Sequence, residues 1–231
     1  MLLKSQISDC LIHSDTWFQN RLAKITSSEF HYLMAEKGIG QTGTNYMYRK
    51  CGEEMTGIPC RNEISTAATE HGLEYEPENL REFGKKMGID FLATQKLILD
   101  PNGRVGSTPD AIWILNPEAY LKYESDKINV ATVEAKCPTA YDAFIRLWNC
   151  QTPADVKAES RPYYFQVLHQ MKVCGALTGY LSVYNPFFKA GKLKIIQFKM
   201  IDLVKEFTLM EQRTQEAIKI FTAQRDKMIA A

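Results

Sequence analysis

The feature that most constrains the fold is a pair of short apolar runs, Ala111–Leu115 and Ile128–Ala135, each tied to an acid. Pro109-Asp110 stands just before the first run, and Glu134-Ala135-Lys136 closes the second. Runs this short, bounded by turn residues and rich in β-branched side chains, predict buried strands. Paired as a hairpin, they bring Asp110 and Glu134 to one spot. Strand side chains alternate between faces, so Glu134 and Lys136 share a face and Ala135 turns to the other.

The rest of the chain frames this hairpin. Ser14-Asp15 predicts a helix cap, with the helix running through Trp17, Phe18, Leu22 and Ile25. Thr26 and Glu29 stand at capping-box spacing and predict a second helix, to about Lys37. Gly38 to Gly43 predicts a flexible connection, Asn45 to Met55 a third helix, and Glu63 to Met87 a longer one stopped by Gly88. Phe91 to Leu99 predicts a strand ending in the turn Asp100-Pro101-Asn102-Gly103. Helices are expected over Tyr141–Trp148 and Tyr163–Cys174, strands over Gly179–Tyr184 and Leu193–Met200, and a helix over about 201–229. This order predicts an α/β (α+β) chain with a central mixed β-sheet flanked by helices. The 231 residues, 45% hydrophobic and 24% charged, suit one domain over 1–231 with a substantial core. Its parts would be a helical region at about 14–88, a sheet core at about 89–200 and the C-terminal helix.

Two carboxylates at one spot suit a hard cation such as Mg²⁺, which takes oxygen ligands and keeps several waters. A lysine beside it can orient or help deprotonate one of those waters. This is the equipment for cutting a phosphodiester. The net charge of +1 argues against a simple nucleic-acid coat protein, which would be basic. It does not argue against a nuclease, because metal-binding carboxylates cancel basic phosphate contacts in the total. The N-terminus has no apolar run of signal-peptide length, and no stretch approaches the roughly 18 apolar residues of a membrane span. The six cysteines form no CxxC pair and read as free thiols of a reducing cytoplasm.

The hairpin acids belong to a longer ordered set. It comprises Trp17…Arg21-Leu22…Ile25-Thr26-Ser27-Ser28-Glu29, Gly72-Leu73-Glu74-Tyr75-Glu76, Gly106-Ser107-Thr108-Pro109-Asp110, Val133-Glu134-Ala135-Lys136-Cys137-Pro138 and Tyr163-Tyr164-Phe165-Gln166-Val167. On these blocks, from about Trp17 to Pro186, the chain resembles the phage λ exonuclease / YqaJ viral recombinase family of the PD-(D/E)XK nuclease superfamily. The resemblance implies a restriction-endonuclease-like core with a helical N-terminal elaboration and a long C-terminal helix. It implies that Asp110 and Glu134 bind the catalytic metal, Mg²⁺ with Mn²⁺ as a substitute, helped by the Ala135 carbonyl. Lys136 would position or activate the attacking water. Glu76 would complete the metal shell directly or through water, Asp100 would support a second metal, and Gln166 would brace the site. Arg21 and Ser28 would hold a 5′-terminal phosphate, a role that suits Ser28 near a helix start.

The activity so implied is a 5′→3′ exonuclease on double-stranded DNA ends that releases 5′ mononucleotides and leaves a 3′ single-stranded tail. The family also implies a ring-shaped homotrimer, a single-strand annealing protein as partner, no membrane, and a phage or prophage origin in a bacterial cytoplasm. Two other readings stay open: an endonuclease with the same chemistry, and a non-catalytic DNA-end-binding scaffold. The intact Asp110, Glu134 and Lys136 argue against the scaffold.

The chain also departs from the pattern. RecB-type cores often place a tyrosine four residues after the glutamine, where this chain has Gln170, whose role is therefore open. The Gly38–Gly43 loop and the C-terminal helix carry no motif that assigns them a role. Elsewhere the plain readings prevail. Glu74, Glu78 and Glu82 read as solvated, Tyr163 and Tyr164 as structural aromatics, and Trp17 and Trp148 as core. His13, His31, His71 and His169 lack paired metal spacing and read as structural or exposed.

Overall fold

One largely buried strand, paired parallel on one edge and antiparallel on the other, organises the chain. The computed structural model describes residues 1–8, 10–12, 14–60, 67–89, 92–94, 96–100, 103–118 and 127–231. The strands are β1 (Leu2–Leu3), β2 (Ile7–Ser8), β3 (Ile25–Thr26), β4 (Leu92–Thr94), β5 (Leu97–Leu99), β6 (Val105–Ser107), β7 (Ala111–Ile114), β8 (Lys127–Ile128), β9 (Val130–Lys136), β10 (Thr178–Tyr184) and β11 (Leu193–Lys199). The α-helices are α1 (Asp15–Asn20), α2 (Gly40–Thr56), α3 (Ala67–Met87), α4 (Tyr141–Asn149), α5 (Pro153–Glu159), α6 (Arg161–Val173) and α7 (Val204–Ile229).

The main sheet has the order β11-β10-β9-β7-β4. The pair β9–β10 is parallel, and the pairs β10–β11, β7–β9 and β4–β7 are antiparallel. Strand β9 is buried on both faces until Lys136, as its β-branched run requires once helices cover both sides. On one face Ala131, Val133 and Ala135 pack with Leu80 and Phe83 of α3. On the other, α6 approaches so closely that a Cβ on Gly179 would stand 2.6 Å from Met171 Cγ. This close approach brings the α6 side chains within reach of β9. A second mixed sheet, β2-β5-β6-β3, joins the N-terminal region to the strand that leads into Asp110. One continuous apolar core links Phe30, Leu33 and Met47 with Val130, Leu168 and Leu181, and with Met210 and Phe221 of α7.

The mixed α/β architecture, the 111–115 and 128–135 strands and the long C-terminal helix agree with the sequence expectation. Several local expectations do not. Helix α1 ends at Asn20, and Ile25 lies in β3, paired with Val105. The second predicted helix is a 3-10 helix, Ser27–Leu33; Thr26 directs its hydroxyl to the Glu29 carboxylate at 3.4 Å and caps no backbone N–H. The Gly38–Gly43 connection is shorter than expected because α2 already begins at Gly40. The run from Leu92 to Leu99 splits into β4 and β5, which join different sheets. Helix α5, capped by Thr152 and Asp155, carries no apolar periodicity long enough to announce it. Trp148 is 39% exposed and lies against Gly191 and Lys194 rather than in the core. The predicted element starts at Glu63 and Phe91, the turn residues Pro101-Asn102, and His13 lie outside the described residues.

Candidate active site

The site forms where β7, β9, α3 and α6 meet. The antiparallel register Ala111↔Val133 sets Asp110 opposite Glu134. The Ala135 N–H donates to Asp110 Oδ2 at 2.7 Å, which locks the acid to the strand it faces. Glu134 is 1% exposed, and such burial of a carboxylate requires donors. It has three: Lys136 Nζ and Gln166 Nε2 bond Oε1, and Gln170 Nε2 bonds Oε2. Lys136 also stands 5.0 Å over the Tyr163 ring. Glu76 reaches the site from α3, which Asn79 anchors by donating to the Ser182 carbonyl at 3.0 Å. Pro77 follows Glu76 within the helix, so the Leu73 carbonyl loses its i+4 partner at the lip of the site.

Three carboxyls share this space with one lysine. Burial, then the neighbouring Glu134, holds the Asp110 carboxyl well above the usual carboxylate range, and Glu76 adds to the effect. Burial and Glu134 likewise raise Glu76, against a partial pull from Lys136. Burial alone would lower the Lys136 ammonium, but Glu134 and Asp110 outweigh it and keep the lysine charged. Among the described residues, no three His, Cys, Asp or Glu side chains converge tightly enough to hold a metal unaided. Two carboxylates, a main-chain oxygen and waters are nonetheless the donor set that Mg²⁺ takes.

A cleft of about 290 Å³ opens from these carboxyls. Asp110, Glu76 and Gln166 line it together with Arg21, Ser28 and Thr108. The Arg21 guanidinium lies 3.9 Å from the Trp17 ring centroid. Burial lowers its pKa, with Tyr46, Glu29 and Glu53 opposing. Among the described residues it makes no salt bridge. Thr108 Oγ1 is buried there with no hydrogen-bond partner among the described residues.

Asp110, Glu134, Ala135, Lys136, Glu76 and Gln166 thus come together, with Arg21 and Ser28 lining the cleft. Asp100 does not join them. It lies at the Val105 end of β6, where its N–H bonds the Val105 carbonyl at 2.9 Å, whereas Asp110 lies beyond the Ser107 end. It lines a separate cleft of about 520 Å³ with Arg104 and Lys172, whose charges are paired with Glu54 and Glu211. Glu78 and Glu82 face water beside Arg81 and Lys85.

Two residues escaped the sequence reading. Gln170 is one helical turn past Gln166 and therefore on the same face, a spacing that would have assigned it to Glu134. The Thr108 hydroxyl had no sequence signal beyond its place before Pro109-Asp110. Gln170→Leu is expected to leave Glu134 Oε2 buried without that donor and to destabilise the fold by about 1–3 kcal/mol, read by urea unfolding. An unchanged midpoint would show that the bond contributes nothing.

Comparison with known proteins identifies the fold and the family. The fold matches the alkaline exonuclease LHK-Exo of Laribacter hongkongensis with a TM-score of 0.66, at 18% identity over 94% of this chain and 100% of that one. The same enzyme in complex with dAMP gives a TM-score of 0.68 at 20% identity over the same shares. A phage-related exonuclease from Haemophilus somnus 129PT gives 0.63 at 11% identity, over 89% of this chain and 96% of that one. No curated protein matches the chain. At these identities the structural likeness establishes a shared fold. The sequence profile of the YqaJ-like viral recombinase domain matches residues 16–180, well over half of the chain, and the protein therefore belongs to the YqaJ-like viral recombinase family.

Proposed function

We propose that this protein is a Mg²⁺-dependent 5′→3′ exonuclease that degrades one strand of linear double-stranded DNA to 5′ mononucleotides. The observation that carries the reading is the cleft itself. Asp110, Glu76 and Gln166 line it together with Ser28, Thr108 and Arg21, which makes no salt bridge among the described residues, and Lys136 lines an adjoining cleft that shares Glu76 and Asp110. The family match and the shared fold with exonucleases, one of them solved with the mononucleotide dAMP, support it.

The donor set fits the cation, since carboxylate, main-chain and water oxygens are the ligands it takes, and its charge would offset the Glu134 repulsion that raises Asp110 and Glu76. Asp110, Glu134 and the Ala135 carbonyl would hold it, with Glu76 directly or through water. When bound, the ion would supply Lewis-acid polarisation of the scissile phosphate and a more acidic water. Lys136 would donate to the charge developing on the phosphate and to the attacking water. Gln166 and Gln170 hold Glu134 in place while this happens. Arg21, Ser28 and Thr108 grip the 5′ phosphate, which sets the direction of travel. The remaining 3′ single strand would pass to a single-strand annealing protein. A ring-shaped homotrimer around the duplex would supply processivity without a strongly basic surface. Among the described residues no helix is long and apolar enough to cross a membrane.

The test is digestion of linear duplex with 5′-phosphate or 5′-hydroxyl ends, beside covalently closed circles, in Mg²⁺ or EDTA. Loss of the 5′-phosphorylated linear DNA in Mg²⁺, with circles intact, is the expected result. Cut circles would indicate an endonuclease, and no cutting would indicate a binding scaffold. Arg21→Ala is expected to lose the preference for 5′-phosphate ends about tenfold or more, as the loss of a charge-assisted contact predicts. A preference that survives would return Arg21 to the role of a stacked surface cation.

A further inference from the structure

Ser27, Ser107 and His169 come from three separate elements and meet in the interior. Ser27 Oγ donates to Ser107 Oγ at 2.8 Å, and His169 Nδ1 lies 2.8 Å from the same Ser27 oxygen. All three are buried, at 4%, 2% and 1% exposure, and Phe30 stacks on the imidazole with centroids 4.3 Å apart. Hydrogen on Nδ1 makes the ring the donor to Ser27, leaves the one Ser27 hydrogen for Ser107, and leaves Nε2 a bare acceptor. Nε2 is the ring nitrogen that is buried without a partner among the described residues, and a lone pair there costs less than a stranded N–H. Burial keeps the ring neutral, as this arrangement requires.

The chain runs from the cleft into the interior: Ser27 and Ser107 line the cleft beside Ser28 and Thr108, and His169 lies behind them on the helix that carries the cleft residue Gln166 and the Glu134 donor Gln170. The buried chain therefore ties the wall bearing Ser28 and Thr108 to the helix that braces Glu134. We propose that His169 is a positioning residue that holds the phosphate-gripping wall in register with the cation-binding carboxylates. This rests on the function proposed above. A strand gripped by its 5′ end presents its scissile bond correctly only when wall and carboxylates keep a fixed separation. A shift of about 1 Å costs on the order of 10²-fold in rate.

The experiment compares H169L, H169N and S107A with the parent protein, using duplexes with 5′-phosphate and 5′-hydroxyl ends. It reads kcat, KM and the melting temperature. An asparagine amide can stand in for Nδ1–H, whereas leucine cannot. H169L is expected to lose about ten- to a hundredfold in kcat on 5′-phosphate ends, with KM changed little and a smaller loss on 5′-hydroxyl ends. H169N is expected to restore much of that preference. S107A, which removes little volume, is expected to weaken it in the same sense and supplies the test should H169L not fold. A preference within twofold of the parent in H169L, or in S107A if H169L does not fold, would overturn the inference alone. So would equal losses on both ends that H169N does not relieve. A parent enzyme with no preference for 5′-phosphate ends would overturn the proposed grip of Arg21 and Ser28, and this inference with it.

Discussion

Lys136→Ala is expected to lower the single-turnover rate on linear 5′-phosphorylated duplex by on the order of 10²–10³-fold or more while the protein still binds the duplex. The side chain is 21% exposed at the edge of the cleft, bonded to Glu134 and stacked over Tyr163. On the proposed mechanism its charge stands beside the reacting phosphate, and water would have to reorganise to replace it. The same change removes the one cation among three carboxyls, so the metal-free variant should melt lower than the parent. Added Mg²⁺ should recover part of that loss, because the ion balances the same carboxyls. Rapid-quench turnover beside thermal melts in EDTA and Mg²⁺ reads both effects. Normal turnover in Lys136→Ala would end its assignment to the chemistry.

Asp110→Asn should act in opposite directions on activity and on metal-free stability. Loss of a cation ligand removes several kcal/mol of transition-state stabilisation, a rate loss of at least about a thousandfold. In EDTA the variant should be more stable than the parent by on the order of 1 kcal/mol, because an asparagine oxygen can still accept from the Ala135 N–H without repelling Glu134. The folded Asp110 carboxyl titrates above its unfolded value of about 3.9, so folding favours its protonated form. Its contribution to metal-free stability is full below about pH 3.9 and is lost as pH rises through the folded value. Mg²⁺ binds the ionised form, so its stabilising effect should grow with pH in the parent and be largely absent from Asp110→Asn. Calorimetry in EDTA and in Mg²⁺ across this range measures the difference. A variant still stabilised by Mg²⁺ as strongly as the parent would remove Asp110 from the ligand set.

Local rules made much of the molecule legible. Ser14 caps α1 through the Trp17 N–H, and Gly88, in the left-handed region, follows the end of α3. The strand period placed Glu134 and Lys136 on one face, where they bond each other. Local rules failed where a partner distant in sequence decided the outcome. Thr26 and Glu29 have capping-box spacing, yet Tyr46 OH accepts the Thr26 N–H and Arg49 bonds Glu29, so the segment starts as a strand and a 3-10 turn. The resemblance implied that Asp100 supports a second metal, but β6 separates it from Asp110 in space.

The sequence by itself determined the family and the mixed α/β class, and it pointed to Asp110, Glu134, Lys136, Glu76 and Gln166 as one group, which the fold brings together, because ordered motifs and a two-residue period are readable along the chain. Tertiary structure alone decided that Gln170 holds the second oxygen of Glu134. It also set Asp100 apart from the carboxyl cluster and joined Ser27 and Ser107 of the cleft to the buried His169. The reason is physical: a buried polar group must find its partner wherever the packed core brings one, and that partner need not be near in the chain.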